Sequence, residues 1–248
     1  MTAFVSDVVT ILHRELMRYG RDRVYLLGQI LFPVLAVVFI GMPAGRLGES
    51  VDYVSFLASG LLMLTVTSGA IGGGYTLIED VQRGFLRPIL VAPVSRTSIV
   101  VGKILARLLL SFLLVVVMGL TLATFTSIHL AHPVMALAAL TALTFGFVAL
   151  GIVIATSLRR TETFRTVAVF VTLPLYFMSG MFFPIENLPE VMYALALLNP
   201  LTYGVDLFRY GTTDLHELPL WANGAVLLAF ATLMTALAAR AFERRLAG

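Results

Sequence analysis

Pro133-Val-Met-Ala-Leu-Ala-Ala-Leu140-Thr-Ala-Leu-Thr-Phe-Gly-Phe-Val-Ala-Leu150-Gly-Ile-Val-Ile-Ala-Thr-Ser-Leu158 runs for 26 residues without one charged side chain. A helix needs about 20 predominantly apolar residues to cross a hydrocarbon core roughly 30 Å thick. The stretch is too long for a strand or for an ordinary core helix, so it reads as a membrane span. Working outward, Val24–Met42, Tyr53–Leu77 and Ile104–Ser127 precede it, and Val167–Phe183 and Leu220–Ala239 follow. The sequence therefore predicts an all-α membrane protein of six transmembrane helices, a single domain over residues 1–248 with no large soluble part. Composition agrees, with 59% hydrophobic and 12% charged residues where a soluble domain carries about 25% charged. Pro33 and Pro174 fall inside spans, which membrane helices tolerate as kinks. No Asp, Glu, Lys or Arg lies deep in any of these runs, and Arg107, one turn inside the third, is placed to snorkel.

Orientation follows from the basic residues. Fifteen of the seventeen fall before the first span, between the second and third or at the entry to the third, between the fourth and fifth, and after the sixth. Only Arg46 and Arg209 fall on the other side. The positive-inside rule makes the crowded side cytoplasmic, with both termini there. The pI of 9.4 is thus a topology signal and implies no nucleic-acid partner, because the charges flank apolar spans. With no cysteine in the chain, disulfides and thiolate metal sites are excluded.

Two polar segments carry more pattern than a connector needs. In residues 1–23, Phe4, Val8, Leu12 and Leu16 recur every four residues beside Val5 and Val9, with Asp7, Arg14, Arg18 and Arg21 opposite. That predicts an amphipathic helix lying in the inner interface. In residues 78–103, Glu79, Asp80, Arg83 and Arg87 sit at helical spacings. Gly84 permits a stop or a close approach, Pro88 and Pro93 force turned chain, and Ser95 is placed to cap the next helix before Arg96. With Phe85, Leu86, Ile89 and Leu90 on its other side, this loop suits docking on a cytoplasmic partner. Residues 184–219 are punctuated by Pro184, Pro189 and Pro200, and their apolar run Val191–Leu198 is too short to cross. A short helix or re-entrant piece on the outer side is expected there.

Within the second span, Thr65, Ser68, Gly69, Gly72 and Thr76 fall at i, i+3, i+4, i+7 and i+11, one stripe of small or hydroxyl residues. Thr172, Tyr176 and Ser179 make a shorter stripe in the fifth. Gly69-x-x-x-Gly73 is a close-packing signal. These stripes suit either intrachain packing or a twofold seam and cargo path.

What is missing also informs. Gly102-Lys103 is followed by Ile104, and residue 97 is Thr, so there is no G-x-x-x-x-G-K-[ST] phosphate loop. No H-E-x-x-H occurs, and His13, His129, His132 and His216 are scattered over polar ends. The chain is expected to bind no cofactor or metal directly and to have no enzymatic activity of its own.

The stretch Glu79-Asp-Val-Gln-Arg-Gly-Phe-Leu-Arg-Pro-Ile-Leu-Val-Ala-Pro-Val-Ser-Arg96, running into Gly102-Lys103, resembles the signature of the type-2 ABC transporter permeases, with Phe85 where Thr is commonest. Leu173-Pro-Leu-Tyr-Phe-Met-Ser-Gly-Met-Phe-Phe-Pro-Ile-Glu-Asn-Leu-Pro189, followed by Leu198-Asn-Pro-Leu-Thr-Tyr-Gly-Val-Asp-Leu-Phe-Arg209, is similar to a second family stretch. That group includes daunorubicin-type, nodulation and polysaccharide exporters. The resemblance implies a permease subunit in the prokaryotic cytoplasmic membrane, paired with a second permease, identical or a sister chain. Each would dock on a separate P-loop ATPase subunit that holds ATP and Mg. It implies that the second loop, residues 78–103, supplies a coupling helix, that residues 1–23 form a connecting helix, and that short helices cap the exit between spans five and six. The cargo implied is an amphiphilic drug, lipid or glycan-lipid moved outward. The alternative is a secondary transporter or channel without an ATPase, which uncharged spans and the lack of a visible repeat disfavour.

Overall fold

The uncharged run quoted above becomes the helix around which the others pack. The computed structural model describes residues 2–47, 52–82, 96–124, 126, 128–158 and 160–247, and among these there is no strand. In chain order the helices are α1 (Thr2–Arg21), α2 (Arg23–Ala36), α3 (Met42–Leu47), α4 (Asp52–Gln82), α5 (Arg96–Leu122), α6 (Pro133–Ser157), α7 (Thr161–Phe177), α8 (Glu190–Leu198), α9 (Pro200–Thr213) and α10 (Leu220–Ala247). A π-helical turn, Val37–Gly41, joins α2 to α3, so the first span bends through one wide turn instead of ending.

α6 starts on Pro133, whose fixed φ suits a first helical position. Small residues spaced around it (Ala136, Ala139, Gly146, Ala149, Gly151 and Ala155) are all buried, as expected of a helix apolar on every side. α4 crosses it backbone to backbone: a Cβ on Gly74 would run into the Gly151 carbonyl oxygen, and one on Gly151 would stand 2.5 Å from that of Ile71. α10 lays Phe230 over Gly146, with the Phe147 and Phe230 rings 5.2 Å apart. The outward sides of α2 (Leu27, Leu31, Phe32) and α5 (Phe112, Leu113, Leu120) are exposed and apolar, which a lipid-facing surface requires.

Among the described residues, five helices are long and apolar enough to cross a membrane, and a sixth candidate arises if the pair α8–α9, bent by 85°, is counted as one span. The predicted third span is displaced. Its apolar helix covers Ser98–Leu122 in place of Ile104–Ser127, so Lys103 and Arg107 lie inside it. Arg107 is about 16 Å along α5 from Arg96 and is buried. Two charges read as flanking or just entering the third span therefore lie within its apolar helix.

The predicted fifth span, Val167–Phe183, is also corrected. Helix α7 covers Thr161–Phe177 and stops there, and Gly180 then takes a φ of 73°, which a side chain rarely adopts. Residues 184–219 hold the bent helix pair α8–α9, in keeping with the short helix or re-entrant piece expected there. Asn199, at the α8–α9 bend, donates to the Leu175 carbonyl at 2.8 Å and caps α9 through Leu201 N. Gly204 then seats on Leu143 and Gly211 on Ala136, so α9 runs antiparallel to the first half of α6. Leu143 is about 15 Å into α6, so α9 packs along the first part of that helix. Buried Asp206 ties it to α10, accepting from the Glu217 and Leu218 amides and from Asn223 Nδ2.

Candidate functional site

The basic end of the bundle holds a charged cluster built from three helices. α1 packs its Val8–Ile11 face on α5 at Gly102, where an added Cβ would stand 2.8 Å from Ile11 Cγ2. Phe4, Val5 and Val9 of α1 stay exposed, so the helix buries a different side from the one its four-residue spacing suggests. Glu15, 1% exposed, continues the buried face. Its carboxylate accepts from Lys103 Nζ at 2.9 Å and from Arg14 Nη2 at 2.8 Å. Lys103 Nζ also donates to Asp80 Oδ2 at 2.8 Å and to Thr76 Oγ1 at 3.1 Å. Arg14 reaches Asp80 at 2.8 Å, and Arg18 pairs with both Asp80 and Glu79. Burial alone would push the Glu15 carboxyl up, but Lys103 and Arg14 outweigh it and hold it below the ordinary range.

Glu79 and Asp80, expected to face a partner, are thus engaged within the chain. Arg83, Gly84, Phe85, Leu86, Arg87, Pro93 and Ser95 lie outside the described residues, and Arg96 begins α5 with its side chain likewise outside them. The cluster stands directly where the described chain leaves α4 at Gln82 and re-enters α5 at Arg96.

Beside the cluster, between α4 and α7, lies a cavity of about 820 Å³. Of the two predicted stripes it brings together Ser68, Gly72, Thr76, Thr172 and Tyr176 on its walls. Gly72 faces open space, with nothing within 4 Å of an added Cβ. Thr65, Gly69 and Ser179 are not on the wall: Thr65 Oγ1 donates to the Leu61 carbonyl, Ser179 Oγ to that of Tyr176, and Gly69 seats Arg107. The second half of the small-residue pattern, Gly73 and Gly74, faces Val148 and Gly151 of α6. One helix thus uses its glycines for both purposes, packing on one side and space on another. The cavity's remaining polar wall comes from Arg18, Tyr19, Asp22, Tyr25, Tyr75, Glu79 and Arg165. The Arg165 guanidinium lies over the Tyr75 ring at 4.8 Å and donates to its hydroxyl at 3.0 Å.

Glu15, Lys103, Arg107, Tyr19, Tyr25, Tyr75 and Arg165 were not singled out by pattern as site residues. Glu15 carried a readable signal, because an acid at i+7 from Val8 and i+4 from Ile11 stands on the apolar face and needs a buried cation. The others depend on which helices meet.

The model of the ABC-2 type transporter family matches residues 6–212. The chain is 28% identical over 201 residues to the inner membrane transport permease YadH of Escherichia coli K12, covering 78% of this chain and 77% of that protein. It is 27% identical over 214 residues to the putative transport permease ycf38 of Porphyra purpurea, covering 83% and 74%. To nodulation protein J of Sinorhizobium fredii it is 25% identical over 237 residues, covering 89% and 86%.

Proposed function

Because this chain belongs to the ABC-2 type transporter family, and so is the membrane subunit of an ABC transporter, we propose that it works as an exporter permease driven by a separate ATPase. ATP and Mg belong to that partner, and a second permease subunit completes the path. The basic end faces the cytoplasm, where fifteen positive charges are retained by the positive-inside rule. Residues 83–95 meet the ATPase, and α1 lies in the inner interface with Phe4, Val5 and Val9 toward lipid. An amphiphile enters the cavity between α4 and α7 and leaves at the opposite end past α8 and α9. The choice over a secondary transporter no longer rests on uncharged spans, since Lys103 and Arg107 are buried inside one. It rests on the family.

The observation that carries this reading is the position of the charged cluster. It joins α4, α5 and α1 at the two ends of residues 83–95 and shares Thr76 and Glu79 with the cavity wall. Movement imposed on that segment therefore reaches the cavity through ion pairs that must shift together. A coupling element needs such contacts, different in the two states.

The test is reconstitution in vesicles with the partner ATPase. Arg18→Glu is expected to leave the complex assembled but uncouple ATP hydrolysis from transport, and adding Glu79→Arg to restore part of the coupling. A swap that never recovers, with Arg18→Glu transporting normally, removes the cluster from the mechanism. Orientation has its own check, since the chain has no cysteine. Leu130→Cys should react with an impermeant thiol reagent from outside intact cells and His13→Cys only after the membrane is opened.

A further inference from the structure

Behind two of the tyrosines that line the cavity lies a charge that no described protein group answers. Arg107 is 1% exposed, and Nε, Nη1 and Nη2 all lack a hydrogen-bond partner among the described residues. Its guanidinium faces the Tyr19 ring at 5.3 Å and the Tyr25 ring at 5.8 Å. On another side it is seated on Gly69, where an added Cβ would coincide with Nη2. Tyr19 and Tyr25 are themselves cavity wall, as are Ser68 and Gly72 on either side of that glycine in α4.

The other buried cations show what this bundle normally supplies. Lys103 has Glu15 and Asp80, and Arg209 has Glu217. Glu15 and Asp80 are already engaged by Lys103 and Arg14. Two aromatic faces return only part of what a guanidinium loses on leaving water. A planar, permanently charged fork suits a phosphate or carboxylate held in two-point contact. The rest of the cavity fits the remainder of such a molecule: Ile71, Phe164, Ala168, Val169 and Leu173 give it an apolar flank beside the polar one.

We propose that the cavity takes an amphiphile with an anionic head, and that Arg107 receives the head once the Tyr25 ring turns aside. This rests on reading the cavity as the cargo route and adds the chemical class of what occupies it. Tyr19 and Tyr25 then serve as a cover that holds the cation in place when the cavity is empty.

The experiment measures binding of dodecyl phosphate and dodecyltrimethylammonium, equal in chain length and opposite in head charge, to the full chain purified in dodecyl maltoside. The phosphate should bind about tenfold or more tightly than the ammonium, the worth of a charge-assisted contact. Arg107→Met should abolish that preference, Arg107→Lys should keep most of it, and Arg165→Gln, at an exposed cation of the same cavity, should change it far less. Equal affinities in the native chain, or a preference that survives Arg107→Met, overturn the proposal and leave Arg107 a buried structural group. Inorganic phosphate competing as well as dodecyl phosphate would identify a free anion and overturn the amphiphile assignment. The cargo-route reading is tested separately by Gly72→Leu. If that variant blocks transport while head charge makes no difference to binding, the route stands and this inference falls. If Gly72→Leu transports normally, the route itself is wrong whatever binds.

Discussion

Arg107 and Arg209 are both fully buried inside the helical bundle, and they are housed in opposite ways. Arg209, on α9, donates from Nη2 to the Gly180 carbonyl at 2.8 Å, from Nη1 to Glu217 at 3.3 Å and from Nε to Ser59 Oγ at 3.4 Å. Its Cζ also lies 3.5 Å from the Phe56 ring centroid. Those contacts fasten α9 to α4, to the turn after α7 and to the segment just before α10, so the bent pair α8–α9 is held in place. Arg107 has two tyrosine faces and no hydrogen bond among the described residues. A satisfied buried charge locks a structure, because any movement strands it. An unsatisfied one is a place where a new partner lowers the free energy. The bundle is therefore pinned at the end opposite its basic residues and left with unspent binding capacity beside the cavity.

The largest effect expected from this contrast is at the pinned end. Arg209→Met leaves Glu217 and the Gly180 carbonyl without their donor, and should cost about 3–5 kcal/mol in unfolding of the purified chain. If Arg107→Met costs as much, the two arginines are alike and the comparison breaks. Next comes the helix that serves both regions. Gly74→Ala drives a methyl into the Gly151 backbone, which cannot rotate away as a side chain could, and should cost about 1–3 kcal/mol.

A smaller, pH-dependent effect separates the two ends. The Glu15 carboxyl is held down by Lys103 and Arg14 despite its burial, so its stabilising contribution is present at neutral pH and lost as pH falls through its lowered value. Burial of Glu217 outweighs the attraction of Arg209 and raises its carboxyl. Its contribution is therefore complete at low pH and is lost as pH rises through that raised value. Melting curves across the acid range should show Glu15→Gln removing part of the acid loss and Glu217→Gln altering the slope in the opposite sense. Slopes that move together would show that the ends do not titrate independently. The smallest effects belong to the empty side of the cavity. Gly72→Ala should leave stability within about 0.5 kcal/mol, and a marked loss would mean that the cavity wall is packed, while Arg107→Met removes a buried charge without a hydrogen-bond partner among the described residues and should not destabilise.

The sequence by itself determined that this is a helical membrane domain, because uncharged runs as long as Pro133–Leu158 have no other stable setting. It also supplied the basic end and a stripe of small or hydroxyl residues on each of the second and fifth runs, since both are written in local spacing. The family was legible in the stretches around Glu79–Arg96 and Leu173–Arg209. Hydropathy misplaced the third and fifth runs at their ends, because apolar turn residues such as Met181, Phe182 and Phe183 score like helix while Gly180 ends it. Only the tertiary structure decided which charges are buried. Whether an arginine on α5 reaches water depends on the glycine of α4 it crosses and the tyrosines of α1 and α2 above it, which no spacing along one helix records. The same holds for Glu79 and Asp80. Their spacing marked them as a charged helical face, and the arrival of α1 turned that face inward, because a buried carboxylate such as Asp80 is stable only where cations, here Arg14, Arg18 and Lys103, converge on it.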